Sequence, residues 1–209
     1  MTPTRWHLLR HAPAAVEKGT VYGRMDVPAL PQDPALLKQI AAQLPQSALL
    51  VTTPLRRTGE TAEMLEKAGW APGERIVEAG FAEQDFGAWE GNTHDALARE
   101  NTSDYAHFWD NPAQNRPPDG ESFADLMTRA STALAALTEA HPARDIVLIG
   151  HGGSIRAIVA AILGLTPENA LALEIAPLSL CLADHAGTEQ AAGALSPWKV
   201  RGLNIRGGI

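Results

Sequence analysis

Short apolar runs alternate along this chain with longer stretches in which apolar residues recur every three or four positions. Runs that end in polar or turn residues predict buried strands, whereas the wider spacing predicts helices that pack one face on a core. The predicted strands cover residues 6–9, 48–51, 75–78, 145–149, 178–183 and 198–203. Alternation of strands with helices is typical of an α/β fold with a largely parallel sheet.

The helical stretches carry recognisable start and stop signals. Asp33 followed by Pro34 marks the start of the first helix, and Gly164 marks the end of the last. The stripe of apolar residues within 121–140 is typical of core packing rather than of a cofactor site. The predicted helices cover residues 34–44, 55–68, 121–140 and 154–163.

Residues 101–120 lack a clear period and are rich in Pro, Asn and aromatic side chains. A segment of this kind in a compact chain predicts a loop or lid inserted into the domain. Its aromatic residues Tyr105, Phe108 and Trp109 either shape the choice of substrate or simply pack. No repeat or linker divides the chain, so residues 1–209 are expected to form a single domain.

Composition narrows the classes of function. The net charge of −7 offers no broad basic face, so we expect no nucleic-acid partner. The longest apolar run, at 157–165, is too short to cross a bilayer, and the first dozen residues are too polar for a secretory signal. Cys181 is the only cysteine, which excludes an internal disulfide and favours a reducing compartment. A cytoplasmic protein without membrane contact is expected, and the sequence leaves open whether it forms a homodimer.

Polar side chains follow three of the predicted strands at the point where each strand ends. Arg10 and His11 follow the first strand, Arg57 opens the helix after the second, and His151 follows the fourth. Ligands of parallel sheets bind at the carboxyl ends of the strands, and helix N-termini there favour anions. Two arginines and two histidines at one edge would suit a dianionic tetrahedral group, which indicates phosphate chemistry.

The motifs around these residues resemble those of the histidine phosphatase (phosphoglycerate mutase-like) superfamily, and they occur in its order along nearly the whole chain. The matching segments are LLRHA (8–12), YGRMDVP (22–28), TPLRRTGETA (53–62), FAEQDFGAWEG (81–91), PDGESFADLMTRA (118–130) and IGHGGSIRAIVAAILG (149–164). The resemblance implies a three-layer α/β sandwich, with helices on both faces of a mostly parallel sheet. The YGRMD and FGAWEG segments look most like the α-ribazole phosphatase branch.

The resemblance also implies three catalytic roles. His11 would attack phosphorus and carry a phosphohistidine intermediate. Glu83 would protonate the leaving oxygen and then activate water. His151 would donate to a phosphoryl oxygen as charge builds on it. The expected activity is that of a histidine acid phosphatase-type phosphoric monoester hydrolase acting on a small phosphomonoester, without a cofactor or a metal.

The predicted phosphate-binding groups are Arg10, Arg57 and the backbone of Gly152. Arginine suits this role because its forked donors match phosphoryl oxygens. Tyr22 and Arg24 are expected in the vicinity of the substrate.

The chain departs from the family pattern after its first histidine. Ala12 stands where the family usually has glycine, Pro13 follows, and Glu17 lies near the place of a missing asparagine. One expected phosphate contact is therefore absent. The segment between Glu83 and His151 lacks the longer insertion of cofactor-dependent mutases, which favours hydrolysis over phosphoglycerate mutase-type transfer.

Three other readings are weighed against this one. A metal hydrolase is disfavoured because no HExxH or close His-x-His spacing occurs. A dinucleotide-binding domain is disfavoured because Ile155 occupies the third glycine position of the GxGxxG pattern. A phospho-ligand binding protein without turnover stays open, because the altered 12–17 loop allows binding without catalysis.

Overall fold

The computed structural model describes residues 2–100, 102–187 and 196–206, and within them six strands form one sheet. The strands are β1 (Thr4–Arg10), β2 (Leu49–Thr52), β3 (Arg75–Val77), β4 (Asp145–Gly150), β5 (Leu180–His185) and β6 (Trp198–Ile205). Their order across the sheet is β3-β2-β4-β1-β5-β6. The first four run parallel, and β5 and β6 add an antiparallel edge. All six predicted strands are confirmed, with ends that agree to within two residues.

Alternation along the central strands sends side chains to two separate cores. Leu8 and Leu148 face one side of the sheet, whereas Leu9 and Val147 face the other. Helices α5 (Phe123–Ala140) and α6 (Gly152–Leu163) cover the first face, and α1 (Pro34–Ala41) and α2 (Arg56–Lys67) cover the second. The molecule is therefore the expected three-layer α/β sandwich with a mostly parallel sheet.

Five of the eight predicted helix bounds differ from the observed ones by one to three residues, and two of these differences have a visible cause. Helix α1 ends at Ala41 rather than at residue 44, because Pro45 disfavours the helical conformation of the residue before it. Helix α2 begins at Arg56, since Leu55 is extended and the Arg56 amide donates to Asp26 Oδ1 at 2.7 Å. A carboxylate thirty positions earlier in the chain thus caps this helix.

The segment 101–120 was expected to be a loop, and for much of its length that expectation is wrong. It contains α4 (Thr102–Asp110), which follows α3 (His94–Glu100). Aromatic packing supports α4, because the ring of Phe108 lies 5.1 Å from that of Trp89 in an edge-to-face contact. A role as a lid remains a prediction. The remaining elements are α7 (Pro167–Ala170) and two short 3-10 turns, Ala79–Phe81 and Gly87–Trp89.

The sheet order brings the predicted site residues to one edge. Strand β4 lies between β1 and β2, and all three are parallel, so their carboxyl ends meet. Arg10 at the end of β1 is in register with Gly150 at the end of β4. Residues that directly follow these strands therefore lie next to one another.

Candidate active site

His11 is buried at this edge with one ring nitrogen held by the backbone. It is 1% exposed, and its Nδ1 lies 2.5 Å from the carbonyl oxygen of Ala12. A carbonyl oxygen only accepts, so Nδ1 carries the hydrogen and Nε2 keeps a free lone pair. Burial is the main cause that lowers the pKa of His11 to about 3, and the charges of Arg57 and Arg10 act in the same direction. The imidazole is therefore neutral near pH 7, which is the form that a nucleophile requires.

His151 is buried opposite His11, with ring centroids 5.1 Å apart. Arg57 Nε donates to His151 Nδ1 at 3.2 Å. Because a guanidinium only donates, Nε2 of His151 carries the hydrogen, and it donates to Thr53 Oγ1 at 2.9 Å. Burial, followed by the positive charges around it, holds the pKa of His151 well below its usual value. The ring is therefore a neutral hydrogen-bond donor. In this structure it donates to Thr53 and not to a phosphoryl oxygen, which was its expected acceptor.

Arg57 is fully buried in a cradle of backbone carbonyls. Its terminal nitrogens donate to Met25 O at 2.7 Å and to Gly23 O at 2.6 Å, and its charge lies 5.2 Å from the centre of the Tyr22 ring. A Cβ at Gly23 would come within 2.5 Å of the Gln84 carbonyl oxygen, so glycine is required for this close approach. The segment that carries Tyr22 thus contributes to the site by fixing the position of the Arg57 guanidinium.

Arg10 lies beside the first turn of α6. Its Nη1 donates to Ile175 O at 2.6 Å, whereas its Nε is buried and has no hydrogen-bond partner among the described residues. A Cβ on Gly152 would lie 3.2 Å from the guanidinium carbon of Arg10. The absence of a side chain at Gly152 therefore lets the guanidinium lie against the helix N-terminus, where an anion would meet both.

Glu83 reaches the same helix N-terminus from the other side. Its Oε2 accepts from the Gly153 amide at 3.0 Å, and its Oε1 accepts from the Gln84 amide at 3.0 Å. A Cβ on Gly153 would lie 2.3 Å from Glu83 Oε1. The glycine pair thus serves two purposes, since Gly152 makes room for Arg10 and Gly153 makes room for Glu83.

The loop that carries Glu83 is braced by charged residues. Arg129 Nη2 donates to the Glu83 carbonyl at 2.9 Å and to Glu121 Oε1 at 2.6 Å. Arg24, predicted near the substrate, pairs with Glu121 at 3.3 Å and with Asp85 at 3.5 Å. Its guanidinium is therefore shared between two carboxylates close to Glu83.

The structure adds residues that sequence reasoning did not place at the site. Thr53 lies in the matching segment 53–62, where the sequence indicates no role for it, yet it accepts from His151, and its Oγ1 lies 3.3 Å from that of Thr58. Arg156 lies in the matching segment 149–164, in which only His151 and Gly152 were predicted to act. Its spacing of four residues from Gly152 is the signal that could have found it, because residues four apart share a helix face.

The charges at this edge match a dianion. Arg10 and Arg57 have no carboxylate within 4.0 Å among the described residues, and the N-terminus of α6 adds its positive dipole end. Across the described ranges no helix is long and apolar enough to span a membrane, and no group of three or more His, Cys, Asp or Glu residues could hold a metal ion.

Comparison with known proteins identifies the family. The sequence model of the histidine phosphatase superfamily (branch 1) matches residues 6–195. The chain belongs to this superfamily. One solved structure with a similar fold is that of a mycobacterial glucosyl-3-phosphoglycerate phosphatase, which is 26% identical in sequence. It superposes with a TM-score of 0.79 over 97% of this chain and 99% of that one. Family membership and such neighbours support a phosphoric monoester hydrolase.

Two further similarities bear on the branch. The α-ribazole phosphatase from Shigella flexneri superposes with a TM-score of 0.82 over 99% of this chain and 98% of that one, and its 20% identity shows the shared fold alone. A 2,3-bisphosphoglycerate-dependent phosphoglycerate mutase from Brucella melitensis biotype 2 (strain ATCC 23457) is 29% identical over 127 residues, which are 59% of this chain and 62% of the mutase. The match therefore spans less than two thirds of the mutase.

Proposed function

We propose that this histidine phosphatase superfamily member hydrolyses a small phosphorylated metabolite through a phosphohistidine intermediate on His11. The candidate substrate that the sequence motifs favour is α-ribazole 5′-phosphate. The observation that carries the proposal is the state of His11, whose Nδ1–H is tied to Ala12 O at 2.5 Å while its Nε2 is free and its pKa is lowered to about 3. A buried, neutral and oriented imidazole near two arginines is suited to attack on phosphorus.

In the proposed first step, His11 Nε2 forms a bond to phosphorus as the ester oxygen leaves. Arg10, Arg57 and the Gly152 amide hold the phosphoryl oxygens, and their charge offsets the charge that builds there. His151 Nε2–H transfers its hydrogen bond from Thr53 to a phosphoryl oxygen. The leaving oxygen takes a proton from Glu83, which leaves Glu83 as a carboxylate.

In the proposed second step, water attacks the phosphohistidine. Glu83 accepts a proton from the water as the new P–O bond forms and the P–N bond breaks. Inorganic phosphate leaves, and His11 and Glu83 return to their starting states. The hydrogen bonds that Glu83 accepts from the Gly153 and Gln84 amides support this role, because they fix its carboxyl group at the N-terminus of α6.

Phosphoglycerate mutase-type transfer is the second candidate, and the similarity to the Brucella mutase favours it. Both activities would use the same phosphohistidine, and they differ in whether water or a second hydroxyl accepts the phosphoryl group. A binding protein without turnover is the third candidate. It would keep the cradle of Arg10 and Arg57 and lack a phosphorylated form.

One set of assays separates the three candidates. Wild-type protein should release phosphate from p-nitrophenyl phosphate, activity should survive EDTA, and His11→Ala should abolish it. Transfer from 2,3-bisphosphoglycerate to 3-phosphoglycerate at rates above hydrolysis would favour a mutase. Absence of turnover with retained phosphate binding would favour a binding protein, and a normal rate in His11→Ala would exclude His11 as the nucleophile.

A further inference from the structure

Arg156 lies one turn further along α6 than Gly152 and Gly153, on the same face of the helix. It follows Gly152 by four residues and Gly153 by three, and residues so spaced are neighbours on a helix surface. Gly152 faces the Arg10 guanidinium, and the Gly153 amide donates to Glu83. Arg156 therefore continues the line of groups that begins at the proposed phosphate cradle.

The side chains of Arg156 and Arg10 are held by the same short segment between α7 and β5. Arg156 Nε donates to Leu173 O at 2.9 Å, and Arg10 Nη1 donates to Ile175 O at 2.6 Å. Two residues of chain span at most about 7 Å, so the two guanidiniums are anchored to neighbouring carbonyls. The pKa of Arg156 agrees with this placement, because burial lowers it, Glu83 raises it and Arg10 lowers it further.

Within the described part of the chain, Arg156 is also one of few arginines without an acidic partner. Nine of the arginines in the described ranges have a carboxylate oxygen within 4.0 Å: Arg5, Arg24, Arg56, Arg75, Arg116, Arg129, Arg144, Arg201 and Arg206. Of the others, Arg99 is exposed, whereas Arg10, Arg57 and Arg156 are partly or fully buried. Arginine is seldom buried without a partner, and two of these three form the proposed phosphate cradle.

We propose that Arg156 binds a second anionic group of the substrate, a carboxylate or a second phosphate, while Arg10 and Arg57 hold the phosphoryl group that is transferred. This inference rests on the proposed function and narrows its substrate class to phosphomonoesters with another negative charge a few bonds from phosphorus. The nucleoside part of α-ribazole 5′-phosphate carries no such charge. The inference therefore favours a smaller, doubly anionic metabolite as the substrate.

Matched substrate pairs test this role. 3-Phosphoglycerate has a carboxylate where glycerol 3-phosphate has a hydroxymethyl group, and fructose 1,6-bisphosphate has a second phosphate that fructose 6-phosphate lacks. For wild-type protein we expect kcat/KM for the doubly anionic member of at least one pair to be higher by about 10- to 100-fold, as hydrogen bonds to a charged group allow. A preference within the first pair indicates that Arg156 binds a carboxylate, and a preference within the second pair indicates that it binds a phosphate.

Variants then assign the preference to one side chain. Arg156→Gln should remove it, mainly through KM. The loss on p-nitrophenyl phosphate should be much smaller than the loss on the doubly anionic substrate, because p-nitrophenyl phosphate has no second anionic group. Arg156→Lys keeps the cation but lacks the Nε bond to Leu173, and it should keep part of the preference. Arg99→Gln is the matched control and should leave the preference unchanged, because Arg99 is exposed and has no acidic partner among the residues that the structure describes.

The inference is overturned if wild-type protein shows no preference within either pair. It is also overturned if Arg156→Gln lowers turnover of all substrates to the same extent, which is the result of a merely structural role. If Arg156→Gln does not fold, equal losses on all substrates in Arg156→Lys decide against it in the same way. Failure of the proposed function itself looks different, since p-nitrophenyl phosphate turnover would then be absent or independent of His11.

Discussion

Replacement of Arg57 with lysine tests the electrostatic part of the mechanism. Lysine keeps the positive charge but cannot make the three directed bonds of Arg57, to His151 Nδ1 at 3.2 Å, Met25 O at 2.7 Å and Gly23 O at 2.6 Å. Loss of one group that stabilises charge in a transition state costs on the order of 10²- to 10³-fold in rate, or about 2.7–4 kcal/mol. Release of His151 Nδ1 adds a second defect at the same site. We therefore expect Arg57→Lys to lower kcat/KM by at least about 10²-fold.

The assay is steady-state hydrolysis of p-nitrophenyl phosphate, with thermal unfolding measured in parallel. Two buried carbonyls lose a donor in the variant, at about 1–3 kcal/mol for each group left without a partner, so rates are compared only where the variant is folded. Arg56→Lys is the matched control, because Arg56 is half exposed and bonds Glu60 on the surface of the same helix. A loss below about tenfold in folded Arg57→Lys, or an equal loss in Arg56→Lys, would contradict the role given to Arg57.

Two further predictions follow from the histidines. Thr53→Val removes the acceptor that orients His151 Nε2–H before substrate binds, and it should lower kcat/KM by about tenfold. Thr53→Ser should stay close to wild type, and equal effects of the two variants would refute the orienting role. The pKa of His11 is lowered from 6.5 to about 3, so between these pH values the unfolded chain binds a proton that the folded chain does not. Stability should therefore fall as the pH drops from about 6.5, by up to about 1.4 kcal/mol per pH unit for this residue. Denaturant unfolding of wild type and His11→Asn at several pH values measures the free energy of unfolding, which should fall more steeply with decreasing pH in wild type. Equal slopes in the two proteins would contradict the lowered pKa.

The sheet and the edge where the site lies could be predicted from the sequence because their signals are local. The apolar runs that end at Arg10 and at Gly150 are buried on both faces, and such runs read as strands without knowledge of their neighbours. Parallel packing then brings their carboxyl ends together, so His11 and His151 could be paired before the structure was known.

Features that depend on distant contacts could not be predicted in this way. The start of α2 is set by Asp26, which accepts from the Arg56 amide, and nothing in the local sequence of the helix shows this. Helix α4 has weak periodicity, and its place depends on packing against Trp89 from another part of the chain. The bond between His151 and Thr53 joins residues that are 98 positions apart.

The central claim is that phosphorus becomes bonded to His11 during turnover. Wild-type protein quenched in alkali during turnover of p-nitrophenyl phosphate should carry one added phosphoryl group, and peptide mass spectrometry should place it on His11, because phosphohistidine is stable to base. Glu83→Gln, which lacks the group proposed to activate water, should accumulate more of this species. Active protein that carries no phosphoryl group under these conditions, or carries it on another residue, would contradict the account.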